Sequence, residues 1–333
     1  MPEGVGGPAS RVINSAFGPV GALRFKSRLG LVKSGWLCAG LVWLCACAPV
    51  SASPAPGSQA APAATQAPGA QPGRPIPTGD VRAAAPPASP DAQPLAGRLE
   101  ITSYHSRLLD EELPLLVYLP PGFGQAAERL PVLYLLHGRG YDEWQWVDLG
   151  ATRLATQAIR GGLWPAFAIV MPFQPEPLFS GSDGGPRSYE AEFLEGLMPA
   201  AESRFNLVEH GSGRAIAGIS RGGVWALEIA FRHPQEFSGV AALSPALNLN
   251  FARPRYDPLW IVQHGGSLPG QIFLAAGDRE QTIRASAEQL SQALEQQGVE
   301  HEFSIKPGTH AQELWTALLE PALGFLVSGW AAP

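Results

Sequence analysis

From residue 99 onward the hydrophobic positions come in two textures. Short unbroken apolar runs at 131–136, 167–171, 239–243 and 272–276 predict strands buried on both faces. Between them, apolar residues recur every third or fourth position at 151–160, 189–205, 224–231, 283–297 and 312–326, the spacing of amphipathic helices. Segments 99–105 and 115–119 read as an early hairpin ended by Pro120-Pro121-Gly122, and 302–305 as a short late strand. Pro199 is expected to bend its helix. Residues 173–187 read as a loop, and 247–269 as irregular, with Trp260 and residues 253–256 as candidate pocket lining. Strands alternating with helices of this length predict an α/β domain with a mostly parallel sheet and helices on both faces.

The first 95 residues are of another kind. Arg24, Lys26, Arg28 and Lys33 precede an apolar core at 35–44, the layout of an export signal whose core is shorter than the ~20 residues of a membrane span. The core ends in Leu44-Cys45-Ala46-Cys47, which resembles a bacterial lipobox and implies lipidation of Cys47. Simple cleavage after a small residue and an uncleaved anchor are the alternatives. The basic flank starts late, as a start site assigned upstream of the true one would produce. Residues 48–95 are dominated by Pro, Ala, Ser, Gln and Gly, so they are expected to be a disordered linker. The predicted organisation is a signal sequence over 1–47, a linker over 48–95 and one catalytic domain over 96–333. The protein would then be exported, and held at the cell envelope by a lipid or else secreted.

Composition narrows the chemistry. A net charge of −6 lacks the basic footprint of nucleic-acid binding. All three cysteines lie in the first fifty residues, which removes disulfides, thiolate metal sites and cysteine nucleophiles from the domain.

The candidate nucleophile is Ser220 in Gly218-Ile219-Ser220-Arg221-Gly222, where an apolar run turns directly into a helical one. A G-x-S-x-G pattern in a strand–turn–helix context exposes the serine hydroxyl, and its glycines let strand and helix pass closely. A serine needs a histidine to take its proton. His310 follows the last strand and precedes the last helix, late in the chain as the order serine, acid, histidine requires. The acid should lie between them at a strand end, where Asp278 and Glu280 both qualify and chain position does not separate them. An oxyanion hole needs two backbone N–H groups. Arg221, next after the nucleophile, would give one, and Arg139, in the glycine-flanked stretch His137-Gly138-Arg139-Gly140, the other. Trp144 and Trp146, just beyond, suit core packing at least as well as substrate stacking.

The ordered set of motifs resembles the putative-esterase family of α/β-hydrolases, which includes S-formylglutathione hydrolases, feruloyl esterases, siderophore esterases of the enterochelin type and antigen 85 mycolyltransferases. The matching stretches are 117–123, 132–138, 218–223, 232–237 and 242–246, then Pro307-Gly308-Thr309-His310 followed by Trp315. The resemblance implies the α/β-hydrolase fold and a Gly-x-x-Asp or Gly-x-x-Glu placement of the acid, which maps onto Gly277 and Glu280 and favours Glu280 over Asp278. Arg221 departs from the residue usual after the serine. The function implied is hydrolysis of a small-molecule, carbohydrate or siderophore ester with no metal or organic cofactor, with membrane contact only through the lipid. The alternatives are acyl transfer by the same triad, and a non-catalytic surface binding protein on the same scaffold.

Overall fold

The computed structural model describes residues 97–124, 129–176, 178, 185–250 and 252–330. The predicted signal, Cys47 and the linker lie outside the described residues. Among the described residues, eight strands form one sheet: β1 (Arg98–Ser106), β2 (Glu111–Leu119), β3 (Val132–Leu136), β4 (Ala168–Pro172), β5 (Arg214–Ile219), β6 (Gly239–Leu243), β7 (Gln271–Gly277) and β8 (Glu302–Lys306). Their order is β1-β2-β4-β3-β5-β6-β7-β8. The β1–β2 and β2–β4 pairings are antiparallel and every pairing from β4 to β8 is parallel.

The α-helices among the described residues cover the faces: α1 (Gln145–Leu149), α2 (Ala151–Arg160), α3 (Tyr189–Glu192), α4 (Met198–Phe205), α5 (Arg221–Arg232), α6 (Pro258–Gln263), α7 (Gln281–Gln296) and α8 (Gln312–Ser328). Successive strand side chains point to opposite faces, and this divides the core in two. Tyr134, Leu136, Ile216, Val240, Ile272 and Leu274 pack with residues of α3 to α7. Leu133, Leu135, Ala217, Ile219, Leu243 and Phe273 pack with α1, α2 and α8. The central strands β3, β4 and β6 are therefore apolar at every position, and β5 and β7 are so beyond their first residues, Arg214 and Gln271.

A buried ion pair ties the start of β5 to α4. Arg214 donates through Nε and Nη2 to the two carboxylate oxygens of Glu202 at 2.6 and 2.7 Å, and the Tyr134 hydroxyl donates to the same carboxylate at 2.8 Å. This bidentate geometry compensates both charges for their lost hydration.

Three local features differ from the sequence reading. Residues 247–269 are not wholly irregular, because Asp257 caps a helix there by accepting from Leu259 N at 2.9 Å, followed by Pro258 at the first helical position. In this segment Tyr256 is buried beneath the Arg232 guanidinium, and the ring of Trp260 stacks on His264. The helical run at 189–205 opens into a π turn, Phe193–Leu197, immediately before Pro199. Proline supplies no N–H, so a widened turn there relieves the crowding a regular helix would suffer. Finally, α1 is an extra helix of five residues, too short to show a period, and it buries Trp146.

Parallel register brings the carboxyl ends of the strands to one edge. Leu136 pairs with Gly218, Ile219 with Leu243, Leu243 with Ala275, and Gly277 with Lys306. The segments that leave β3, β5, β6, β7 and β8 therefore converge.

Candidate active site

Ser220 joins β5 to α5 with φ 55° and ψ −114°. A non-glycine residue in this sparsely populated region is strained, and such strain persists only where the surroundings enforce it. Here they do. Ser220 N donates to Leu243 O at 2.9 Å, and Ser220 O accepts from Ala246 N at 3.1 Å. The two motif glycines are required by contact: a Cβ on Gly218 would lie 2.1 Å from Gly222 O, and one on Gly222 would lie 2.4 Å from His137 O.

Three side chains meet above this turn. Ser220 Oγ lies 2.9 Å from His310 Nε2, and His310 Nδ1 lies 2.5 Å from Glu280 Oε1. The Glu280 side chain is buried, and its other oxygen accepts from Ser244 Oγ at 2.9 Å and Gly277 N at 2.5 Å. Since a carboxylate only accepts, the imidazole carries its proton on Nδ1 and presents Nε2 as acceptor to the serine hydroxyl. Asp278 is placed differently. It is half-exposed and accepts from Gly308 N at 2.9 Å, bracing the turn that leads to His310.

The loop after β3 faces the serine. A Cβ on Gly138 would come 3.5 Å from Ser220 Cβ, an ordinary van der Waals contact, so the backbone of this loop lies directly beside the nucleophile. Gly138 N is committed to Gln145 Oε1 at 2.7 Å, which leaves the amide of Arg139 as the next donor along the loop. Arg221 is the first residue of α5, and N–H groups of a first helical turn point outward beyond the helix end. The two side chains diverge: Arg139 is exposed, 4.0 Å from Glu176, whereas the Arg221 guanidinium is buried over Trp225 at 5.0 Å. Burial lowers the Arg221 pKa from its ordinary value, opposed by Glu228 and Glu176.

His137, at the same strand end, is locked. Its Nδ1 donates to Gly138 O at 2.9 Å, and its Nε2 accepts from Gln174 N at 2.9 Å. Gln174 Nε2 returns a bond to His137 O at 3.0 Å, joining the loops after β3 and β4. Only the neutral tautomer fits these partners, and burial pushes the His137 pKa down to about 4. Ser244, Gln145, Gln174 and Trp315 are contacts that sequence reasoning gave no role, although Ser244 and Trp315 lay within the stretches quoted for the resemblance. Among the described residues, no group of three or more His, Cys, Asp or Glu is arranged to hold a metal ion, and no helix is long and apolar enough to cross a membrane.

Comparison with known proteins gives a consistent picture. The family described as "Putative esterase" matches residues 106–326. An endo-1,4-beta-xylanase/feruloyl esterase of Xylanibacter ruminicola is 31% identical over 203 residues, 56% of this chain and 27% of that protein. An esterase of Mycobacterium tuberculosis is 27% identical over 242 residues, 58% of this chain and 51% of that protein. The chain thus spans about half, or less, of the length of these curated relatives. Among solved structures, a ferulic acid esterase superposes with a TM-score of 0.64 at 23% identity, covering 71% of this chain and all of the other. An S-formylglutathione hydrolase from Staphylococcus aureus gives 0.59 at 20% identity, covering 70% of this chain and 99% of the other. These likenesses show the α/β-hydrolase fold.

Proposed function

The chain belongs to this esterase family, and from that premise we propose that it is a serine hydrolase cleaving carboxylic esters through an acyl-enzyme. The observation that carries the reading is the Ser220–His310–Glu280 hydrogen-bond series, built on a strained turn between a strand and a helix. In the proposed reaction His310 Nε2 takes the proton of Ser220 Oγ as the oxygen attacks the ester carbonyl carbon. The carbonyl π electrons move to oxygen, and the amides of Arg139 and Arg221 stabilise that charge. Glu280 keeps the imidazole in its Nδ1–H tautomer and balances the imidazolium. Collapse of the intermediate breaks the ester C–O bond as His310 protonates the departing alcohol. Water, activated by the same histidine, then releases the acid and restores the serine.

The relatives are named as hydrolases, which supports water as the acceptor. The two feruloyl esterases among them make hydroxycinnamoyl esters the first substrate class to examine. We further propose export with lipidation at Cys47, supported by the basic flank, apolar core and cysteine in that order; labelled palmitate incorporated into wild type but not Cys47→Ser is the expected result. The catalytic reading is tested by turnover of p-nitrophenyl acetate and methyl ferulate. Loss of at least ~10³-fold in kcat is expected for Ser220→Ala, and wild-type rates in that variant would refute the assignment.

A further inference from the structure

The acid of the proposed triad is itself held by a second set of side chains. Glu280 Oε2 accepts from Ser244 Oγ at 2.9 Å, and Ser244 Oγ lies 3.2 Å from Trp315 Nε1. The direction of this relay is fixed by chemistry. An indole N–H only donates and an ionised carboxylate only accepts, so the single hydroxyl between them must take from Trp315 and give to Glu280. The same tryptophan ring stands edge-on to the His310 imidazole, centroids 5.0 Å apart at 89°. A closed circuit results, Trp315 to Ser244 to Glu280 to His310 and back to Trp315.

Ser244 follows β6 with φ 49°, fully buried, in a left-handed conformation that a non-glycine residue adopts only under strain. Its amide donates to Ala275 O at 2.7 Å, so the strained conformation is pinned between β6 and β7. That conformation delivers the hydroxyl to Glu280. A strained, buried, hydrogen-bonded serine beside an acid is better explained by that delivery than by packing, which glycine or alanine would serve.

We propose that Ser244 and Trp315 are positioning residues that fix the Glu280 carboxylate toward His310. The inference rests on the catalytic reading above. Oε1 is free to turn about the terminal torsion of glutamate unless Oε2 is tethered, because that torsion is broad. Ser244 and Gly277 N supply the tether, and Trp315 polarises the serine hydroxyl while walling the far side of the imidazole.

The test uses the full chain in four forms: wild type, Ser244→Gly, Trp315→Phe and the double variant. Glycine relieves the positive φ and phenylalanine retains a ring against His310, so neither change depends on refolding the site. With p-nitrophenyl acetate, kcat should fall about tenfold or more in Ser244→Gly, with KM within about twofold. The double variant should be little worse than Ser244→Gly, since the indole N–H acts through the hydroxyl already removed. The far-downfield proton resonance of the His310 Nδ1–H bond to Glu280 should shift upfield or broaden in Ser244→Gly. A kcat within twofold of wild type, a kcat loss with that resonance unmoved, or losses in the double variant that multiply would each overturn the proposal. The resonance is read without turnover, so a wild-type chain inactive on esters would count against the catalytic reading alone.

Discussion

Glu280 Oε1 and His310 Nδ1 lie 2.5 Å apart, whereas Asp278, two residues before the glutamate, turns outward and braces Gly308. Two carboxylates beside one strand end therefore have different surroundings. Glu280→Gln keeps the volume but removes the anion that fixes the imidazole tautomer, and kcat should fall by ~10³-fold or more. Asp278→Asn should leave kcat within about threefold. Because Asp278 is half-exposed, its loss should cost no more than about 1 kcal/mol in a urea melt. A larger kcat loss for Asp278→Asn than for Glu280→Gln would reverse the assignment.

The locked His137 makes stability depend on pH. Its folded pKa, about 4, lies below the ordinary histidine value of 6.5. The unfolded chain therefore binds the extra proton first, and stability is complete above 6.5 and declines as pH falls toward 4. An interval of this size corresponds to about 3 kcal/mol. Urea midpoints taken between pH 4 and 7 should fall less steeply in His137→Gln than in wild type. Equal slopes would show that His137 does not carry the effect.

Glycines should fail in two distinct ways. Gly222→Ala drives a Cβ to within 2.4 Å of His137 O, a backbone atom that yields only if β3 moves. The cost should reach or exceed the ~1–3 kcal/mol typical of overpacking. Gly265→Ala meets open space and bears only the penalty of φ 71°, about 1 kcal/mol. Chemical denaturation of the two variants should rank them in that order.

The fold was legible where periodicity was strong. The central strands are apolar beyond their first residues because both faces are covered, and the run 239–243 coincides with β6 to the residue. The short helix α6 escaped because six residues hold too few turns for a period, although Asp257-Pro258 marked its start. At the site, Ser220 and His310 stood out by chain order and strand position, and the structure brings them together. The choice between Asp278 and Glu280 came from resemblance alone. What separates them is the backbone after β7, which turns Glu280 inward to Gly277 N and leaves Asp278 at the rim. The bonds from Gln145, Gln174 and Ser244 escaped for a related reason. Each joins segments that only the parallel register brings together, and a lone polar residue shows no such partner in sequence.

Covalent capture of the nucleophile tests the central claim most directly. The purified chain is treated with a fluorophosphonate, and the intact mass and the modified peptide are read by mass spectrometry. One adduct per chain on Ser220 is predicted, absent in Ser220→Ala and formed far more slowly in His310→Ala. No adduct, or an adduct on another residue that survives Ser220→Ala, would contradict the account.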